Sequence, residues 1–213
     1  MNVLGIDEAG RGPVIGPLIV AGVVIPDEKV QILERMGIKD SKRLSPTRRK
    51  VLSRKLENMF EYETVEITAR DIDLLRAKDV NLNEIEKIAM LKVIGNLDTN
   101  CIIIDSVDVK PERLEKEIKS IVGDVKVISE HKADDTYIQV AAASIIAKNK
   151  RDMIIEQLKK EYRKIGDIGS GYPSDPKTKK FLEKFTYDEM PEIVRKSWKT
   201  VQNYKDKEMD KNK

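Results

Sequence analysis

The hydrophobic positions of this chain change period several times, and the changes mark its elements. Residues 2–7 ("NVLGID") are a short apolar run, and 16–26 ("GPLIVAGVVIP") a longer β-branched one closed by Pro26. Both read as strands, paired as a hairpin through the glycine-rich link between them. After Asp27, the residues Val30, Ile32, Leu33 and Met36 recur at helical spacing until Gly37 stops them. Ser45 followed by Pro46 has the form of an N-cap and a first-turn proline, opening a basic amphipathic helix to about Met59. The alternating "EYETVEITA" at 61–69 predicts a third strand, and 83–97 predicts a helix introduced by Asn81 or Asn83.

"CIIIDSVDV", beginning at Cys101, is continuously β-branched, as a strand covered on both faces would be. A helix at 111–123, a strand at 125–130 and a helix over about 137–162 follow. The order β-β-β-α-β-α-β-α predicts an α/β fold, a mixed sheet with helices on its faces. Beyond residue 164, "IGDIGSGYPSDPKT" reads as an ordered loop, and "KTKKFLEKF" and "PEIVRKSWKTVQNY" as two more helices. The expected organisation is an α/β body over 1–164 and a helical C-terminal appendage over 165–213, its charged end "KDKEMDKNK" frayed. At 213 residues the chain suits one buried core, and it holds no internal repeat.

Charged residues make up 36% of the chain and aromatics 5%, a densely charged surface over an aliphatic core. The one cysteine, Cys101, excludes an intrachain disulfide and suits a reducing, cytoplasmic setting. An acidic pair at Asp7 and Glu8 argues against a signal peptide, and no apolar stretch has the length of a membrane span. Net charge is +3, but residues 146–213 carry +6 and residues 1–145 carry −3. Residues 39–55 add a second basic cluster, eight basic residues against one acidic. Such clusters are candidate contacts for a polyanion, although most basic runs are simply solvated helix faces.

Among 37 carboxylates, position singles out a few. Asp105 ends Cys101-Ile102-Ile103-Ile104 and Asp7 ends Val3-Leu4-Gly5-Ile6, so each is delivered at the edge of an apolar strand. Open α/β sheets bind ligands beyond such strand ends. Asp134 and Asp135 lie between a strand and a long helix, and by position alone either serves as an N-cap or as a third acid. The small residues of "YIQVAAASIIAK" let that helix pack close to the sheet. Converging acids repel one another, and a hard divalent ion resolves the conflict; oxygen-only ligation favours Mg²⁺ or Mn²⁺ over zinc. His131 reads as a surface residue or a proton-transfer helper. Gly10-Arg11-Gly12 offers a backbone able to approach a ligand closely, or simply a tight turn; it is neither a P-loop nor a dinucleotide fingerprint.

The segments "GIDEAGRGPVIGPL", "DSKRLS", "IIIDSVDV", "HKADDTYIQVAAASIIAKNKRD", "GSGYPSDPKT" and "RKSWKT" occur in an order that resembles the archaeal type 2 ribonucleases H, ribonuclease HII. The resemblance spans residues 4 to about 200. It implies a ribonuclease H-like fold and cleavage of the RNA strand in RNA–DNA hybrids and at ribonucleotides embedded in duplex DNA. It further implies two divalent ions on Asp7, Glu8, Asp105 and Asp134, with Asp135 a neighbour. Water activated at the metal pair would attack the phosphate 5′ to a ribonucleotide, leaving 3′-hydroxyl and 5′-phosphate ends. By the same resemblance, Gly10, Arg11, Gly12 and Tyr172 detect the ribose 2′-hydroxyl and its junction with DNA, and Lys42 approaches backbone phosphates. Some relatives bind the sliding clamp through a glutamine-initiated aromatic motif; the tail here has Gln202 without paired aromatics, so no clamp contact through the tail is expected, and a monomer is.

Two other classes compete. A Mg²⁺-dependent kinase would need a phosphate cradle, and an aspartyl phosphatase a D-x-D strand end, whereas the acids of "DSVD" stand three apart. An inactive nucleic-acid binder explains the basic clusters but leaves acids beside a polyanion without a purpose.

Overall fold

The structure, a computed structural model, describes residues 1–211, and their side chains apart from those of 40, 41 and 207–211. Five strands form one mixed sheet: β1 (Asn2–Ala9), β2 (Leu18–Pro26), β3 (Tyr62–Ile67), β4 (Cys101–Asp105) and β5 (Lys126–Glu130), in the order β3-β2-β1-β4-β5. β1 runs antiparallel to β2 and parallel to β4, and β4 runs parallel to β5. The helices are α1 (Val30–Arg35), α2 (Pro46–Met59), α3 (Ala69–Arg76), α4 (Leu82–Gly95), α5 (Pro111–Val122), α6 (Ala133–Thr136), α7 (Ile138–Glu161), α8 (Pro176–Leu182) and α9 (Lys199–Lys211). None of the described helices is long and apolar enough to cross a membrane.

The chain gathers into two compact units. One comprises Met1–Ala9, Ile19–Glu66 and Asn83–Lys150; the other comprises Gly10–Leu18, Ile67–Leu82 and Arg151–Lys213. The first unit holds the sheet. Strand β4, between β1 and β5, is buried on both faces over Cys101–Ile104, which is why that run is so rich in β-branched residues. Val3, Cys101, Ile103, Ala133 and Val140 pack together there. The start of α7 is buried on all sides, so it shows no amphipathic stripe. A Cβ at Gly5 on β1 would lie 2.2 Å from the backbone carbon of Gln139. Only glycine lets α7 lie so close to β1.

The second unit has its own core, formed by Val14, Ile15, Ile155, Ile168, Phe181, Leu182, Met190, Val194 and Val201. Phe181 meets Tyr162 and Phe185 edge to face.

Local signals were obeyed where they were unambiguous. Ser45 caps α2 by accepting from the Arg48 N–H, with Pro46 in the first turn. Elsewhere the structure differs. The strand expected to run through 109 ends at Asp105, because Asp108 turns back to accept from Lys110 N–H and Arg113 Nε. The helix expected from Asp27 is a 3₁₀ turn followed by α1. Residues 69–76, assigned no helix from the pattern, form α3, opened by a capping box between Thr68 and Asp71. The helix expected over 191–204 begins only at Lys199 and continues to Lys211. Before it the chain is extended enough for Val194 to bridge Ile15, and Asp73 takes the N–H groups of Lys196 and Ser197. Residues 212–213 of the charged end lie outside the described residues.

Gly5→Ala is expected to destabilise the protein by roughly 3 kcal/mol or more, since backbone atoms rather than a flexible side chain meet the new methyl. Gly95→Ala, with nothing within 4 Å of its new Cβ, is expected to be neutral or mildly stabilising. Equal urea midpoints for the two variants would contradict the close approach of α7.

Candidate active site

Asp7, Asp105 and Asp134 come together in the first unit, each offering an oxygen, with these atoms all within 4.8 Å of one another. Three different connections deliver them. β1 continues beside β2 to Ala9, beyond the end expected at Asp7, but its parallel pairing with β4 stops at Ile6 opposite Ile104. Asp7 therefore stands just past the parallel ladder, and Asp105 ends β4. Asp134 sits in the one-turn helix α6, entered through Lys132 in a left-handed conformation with φ 57°. Asp105 Oδ1 accepts the Ala133 N–H at 3.2 Å, tying that turn to the strand end.

Asp134 is 5% exposed, whereas Asp135 faces outward. Lys42 bridges the two acids, at 3.2 Å from Asp134 and 2.6 Å from Asp135, and these bonds, the one to Asp135 foremost, raise its pKa. Glu8 lies outside the group of three, but its side chain hydrogen-bonds Asp7. His131 stays at the surface, its Nδ1 3.3 Å from the Ser106 carbonyl oxygen.

The acids crowd one another. Burial first, then the charge of Glu8, holds the Asp7 carboxyl well above the usual carboxylate range, against a hydrogen bond from Ser144. Burial first, then the charges of Asp7 and Asp134, pushes Asp105 up to about 6. The donor set is oxygen throughout, which fits a hard cation. Around Mg²⁺, ligand oxygens lie about 3 Å apart when adjacent and about 4.2 Å when opposed, within the 4.8 Å that bounds the three aspartate oxygens.

The Gly10-Arg11-Gly12 segment and Tyr172 belong to the second unit. Gly10 has φ 93°, and a Cβ there would meet Arg151 Nε at 2.4 Å, so the position excludes other residues. Arg195, fully buried, donates through Nε to the Gly16 carbonyl oxygen at 2.9 Å, through Nη1 to that of Arg11 at 3.3 Å and through Nη2 to that of Gly10 at 2.7 Å. In a trans peptide the next N–H points opposite to the carbonyl, so the Arg11 and Gly12 N–H groups face away from Arg195. The Gly12 N–H has no partner among the described residues. Tyr172 lies with its ring 3.4 Å from where a Gly12 Cβ would be, and it is 44% exposed. Val14 and Ile15 N–H bond the Gly171 carbonyl, joining the two loops. The Arg151 guanidinium, 6.0 Å from the Tyr172 ring centre, donates to the Ile15 carbonyl.

Arg151 and Arg195 are not legible from the sequence: each stands in a basic segment, and nothing in a string of basic residues distinguishes the buried one from its solvated neighbours. Asp73 escaped with α3, although Thr68-x-x-Asp71 was a signal that could have found that helix.

A family model described as Ribonuclease HII matches residues 4–201. The chain is similar to a ribonuclease HII of Methanothermobacter thermautotrophicus, 61% identical over 96% of this chain and 100% of that protein. It is similar in structure to the ribonuclease H2 of Pyrococcus horikoshii, with a TM-score of 0.88, 40% identity and coverage of 97% and 98%. The ribonuclease HII of Archaeoglobus fulgidus, solved in complex with PCNA, is also similar, with a TM-score of 0.85, 43% identity and coverage of 93% and 96%.

Asp105 carries its proton to higher pH folded than unfolded, its value rising from 3.8 to about 6. Between those values the folded state binds more protons, so stability is greatest at low pH and falls as pH rises through the window. Asp7 is shifted in the same direction. Without divalent metal, Asp105→Asn is expected to stabilise the protein at pH 7 by about 1–2 kcal/mol, the full shift being discounted because Asp105 is only half-buried. The gain should vanish below about pH 4 and shrink in millimolar Mg²⁺. Thermal unfolding across pH checks this; equal stabilisation at every pH would contradict the crowding.

Proposed function

The chain belongs to the ribonuclease HII family and is an endoribonuclease of the ribonuclease H type; from that premise we propose that it cleaves the RNA strand of RNA–DNA hybrids and cuts duplex DNA at embedded ribonucleotides. The cut falls 5′ to the ribonucleotide and leaves 3′-hydroxyl and 5′-phosphate ends. The observation that carries the reading is the meeting of Asp7, Asp105 and Asp134 within 4.8 Å. Two divalent ions, Mg²⁺ or Mn²⁺, held by these residues and Glu8 would stabilise charge on the attacking and leaving oxygens.

The chain's own residues prepare that site. Burial and crowding raise the carboxyls of Asp7 and Asp105, so a cation bound there displaces protons. Lys42 is half exposed on Asp134 and Asp135 and can turn its ammonium to a strand phosphate without leaving the site. The Gly12 N–H, turned away from Arg195, is a donor for a sugar oxygen, and the Tyr172 ring beside it offers a face to the sugar. These two select RNA, since the 2′-hydroxyl is what distinguishes it from DNA at one site. Gln202 donates its amide to Tyr187 and to the Lys196 carbonyl, which supports the reading that the tail does not present it to a clamp.

The test is cleavage of a labelled duplex containing one ribonucleotide, mapped at nucleotide resolution with Mg²⁺, Mn²⁺ or chelator. A metal-dependent cut 5′ to the ribonucleotide is expected, and Asp7→Asn or Asp105→Asn should slow it by at least about a thousandfold, roughly 4 kcal/mol of barrier. A cut that survives chelator or either substitution would overturn the site. Tyr172→Ala should lower cleavage at the single ribonucleotide roughly tenfold while changing hybrid binding much less. Equal losses in both would reduce Tyr172 to a loop support.

A further inference from the structure

Ser144 and Lys148 stand one turn apart on α7, behind the acids rather than among them. Ser144 is fully buried and Lys148 half-buried. The Lys148 ammonium donates to Ser144 Oγ at 2.7 Å, and Ser144 in turn hydrogen-bonds the Asp7 carboxyl. Lys148 forms no ion pair among the described residues, so its charge is met by a hydroxyl and reaches an acid only through it.

Donors and acceptors leave one arrangement for this chain of contacts. An ammonium only donates, so Ser144 Oγ accepts from Lys148 and the single hydroxyl hydrogen is left for Asp7. A serine hydroxyl in a helix otherwise rotates toward other acceptors, including the carbonyl four residues back. With Lys148 on its oxygen it points at the acid. The Glu8 N–H, 2.8 Å from Asp7 Oδ1, is a second donor to the same carboxyl. Two donors fixed in direction hold that carboxyl in one orientation.

The fold enforces the contacts. Gly5 and Asp7 are two residues apart on β1 and share a face. Gly5 lies against the backbone of Gln139 and Val140 at the start of α7. Asp7, about 7 Å further along the strand, therefore meets the helix a little more than one turn later, at Ser144. Val140, Ala141, Ala142 and Ala143, all fully buried, carry no side chain long enough to hold the helix away.

We propose that Ser144 is a positioning residue for the cation-binding carboxylate of Asp7 and that Lys148 fixes the direction of its hydroxyl. The inference rests on the metal reading of the three aspartates and concerns what orients one of them. Loss of such a partner typically weakens metal binding about 10- to 100-fold. Lys148 also repels the cation directly, so its removal alone combines two opposing effects. The contribution of Ser144 is therefore compared with and without it.

Mn²⁺ affinity is measured by calorimetric titration of the metal-free full chain at one pH, with thermal unfolding in chelator as the check on folding. Ser144→Ala should weaken Mn²⁺ binding at least about tenfold while Lys148 is present. In the Lys148→Met background the same substitution should cost about threefold or less, because the hydroxyl has lost its fixed direction; the repulsion by Lys148 is common to both members of each pair and cancels. Lys148→Arg, which keeps a cation that only donates, should restore the full effect of Ser144→Ala. If Ser144→Ala does not fold, Ser144→Cys, similar in volume but a weak donor, takes its place. Equal Mn²⁺ affinity in Ser144→Ala and wild type would overturn the proposal, as would an undiminished effect of Ser144→Ala beside Lys148→Met. A wild-type chain that takes up no Mn²⁺ removes the metal reading and this proposal with it. One that binds Mn²⁺ with indifference to Ser144 removes the proposal alone.

Discussion

The crowding of Asp7, Asp105 and Asp134 is the constraint around which the first unit is organised. Carboxylates held within 4.8 Å, two of them buried, destabilise the protein unless a proton or a cation intervenes. The fold nonetheless forces the approach. Parallel β1 and β4 end side by side, and the α6 turn is tied to Asp105 through the Ala133 N–H. Gly5 lets the start of α7 lie against β1. Remove any of these and the acids separate, relieving the repulsion together with the reason for a cation to bind.

The second unit is organised by the opposite charge. Arg195, fully buried, donates to three loop carbonyls. Their capture orients the loop's peptide groups, and the same guanidinium supports Trp198. Asp73 then decides where α9 begins. Each unit therefore uses buried charge to shape a surface: acids that could hold a cation in one, a buried arginine for the loop in the other.

Much of the sheet was legible because its signals are local. The continuous β-branched run of β4, the hairpin of β1 and β2 and the Ser45-Pro46 helix start each follow from a few adjacent residues. Strand ends also brought Asp7 and Asp105 to notice. What escaped depends on distant partners. Residues 191–198 have helical spacing of apolar side chains, yet Val194 bridges Ile15 and the N–H groups of Lys196 and Ser197 go to Asp73, so helix starts only afterwards. Asp134 and Asp135 are adjacent and chemically identical; only the turn entered by Lys132 buries one and exposes the other. Lys42, read by resemblance as a phosphate contact, lies against both of them.

Calorimetric titration of Mn²⁺ into the metal-free chain, in buffers of different ionisation enthalpy, probes the crowded aspartates because it counts protons as the cation binds. Binding is expected to release more protons at about pH 6 than at about pH 8, and to be lost in Asp105→Asn. An Asp105→Asn isotherm identical to that of the wild type, or binding without proton release at about pH 6, would contradict the crowding.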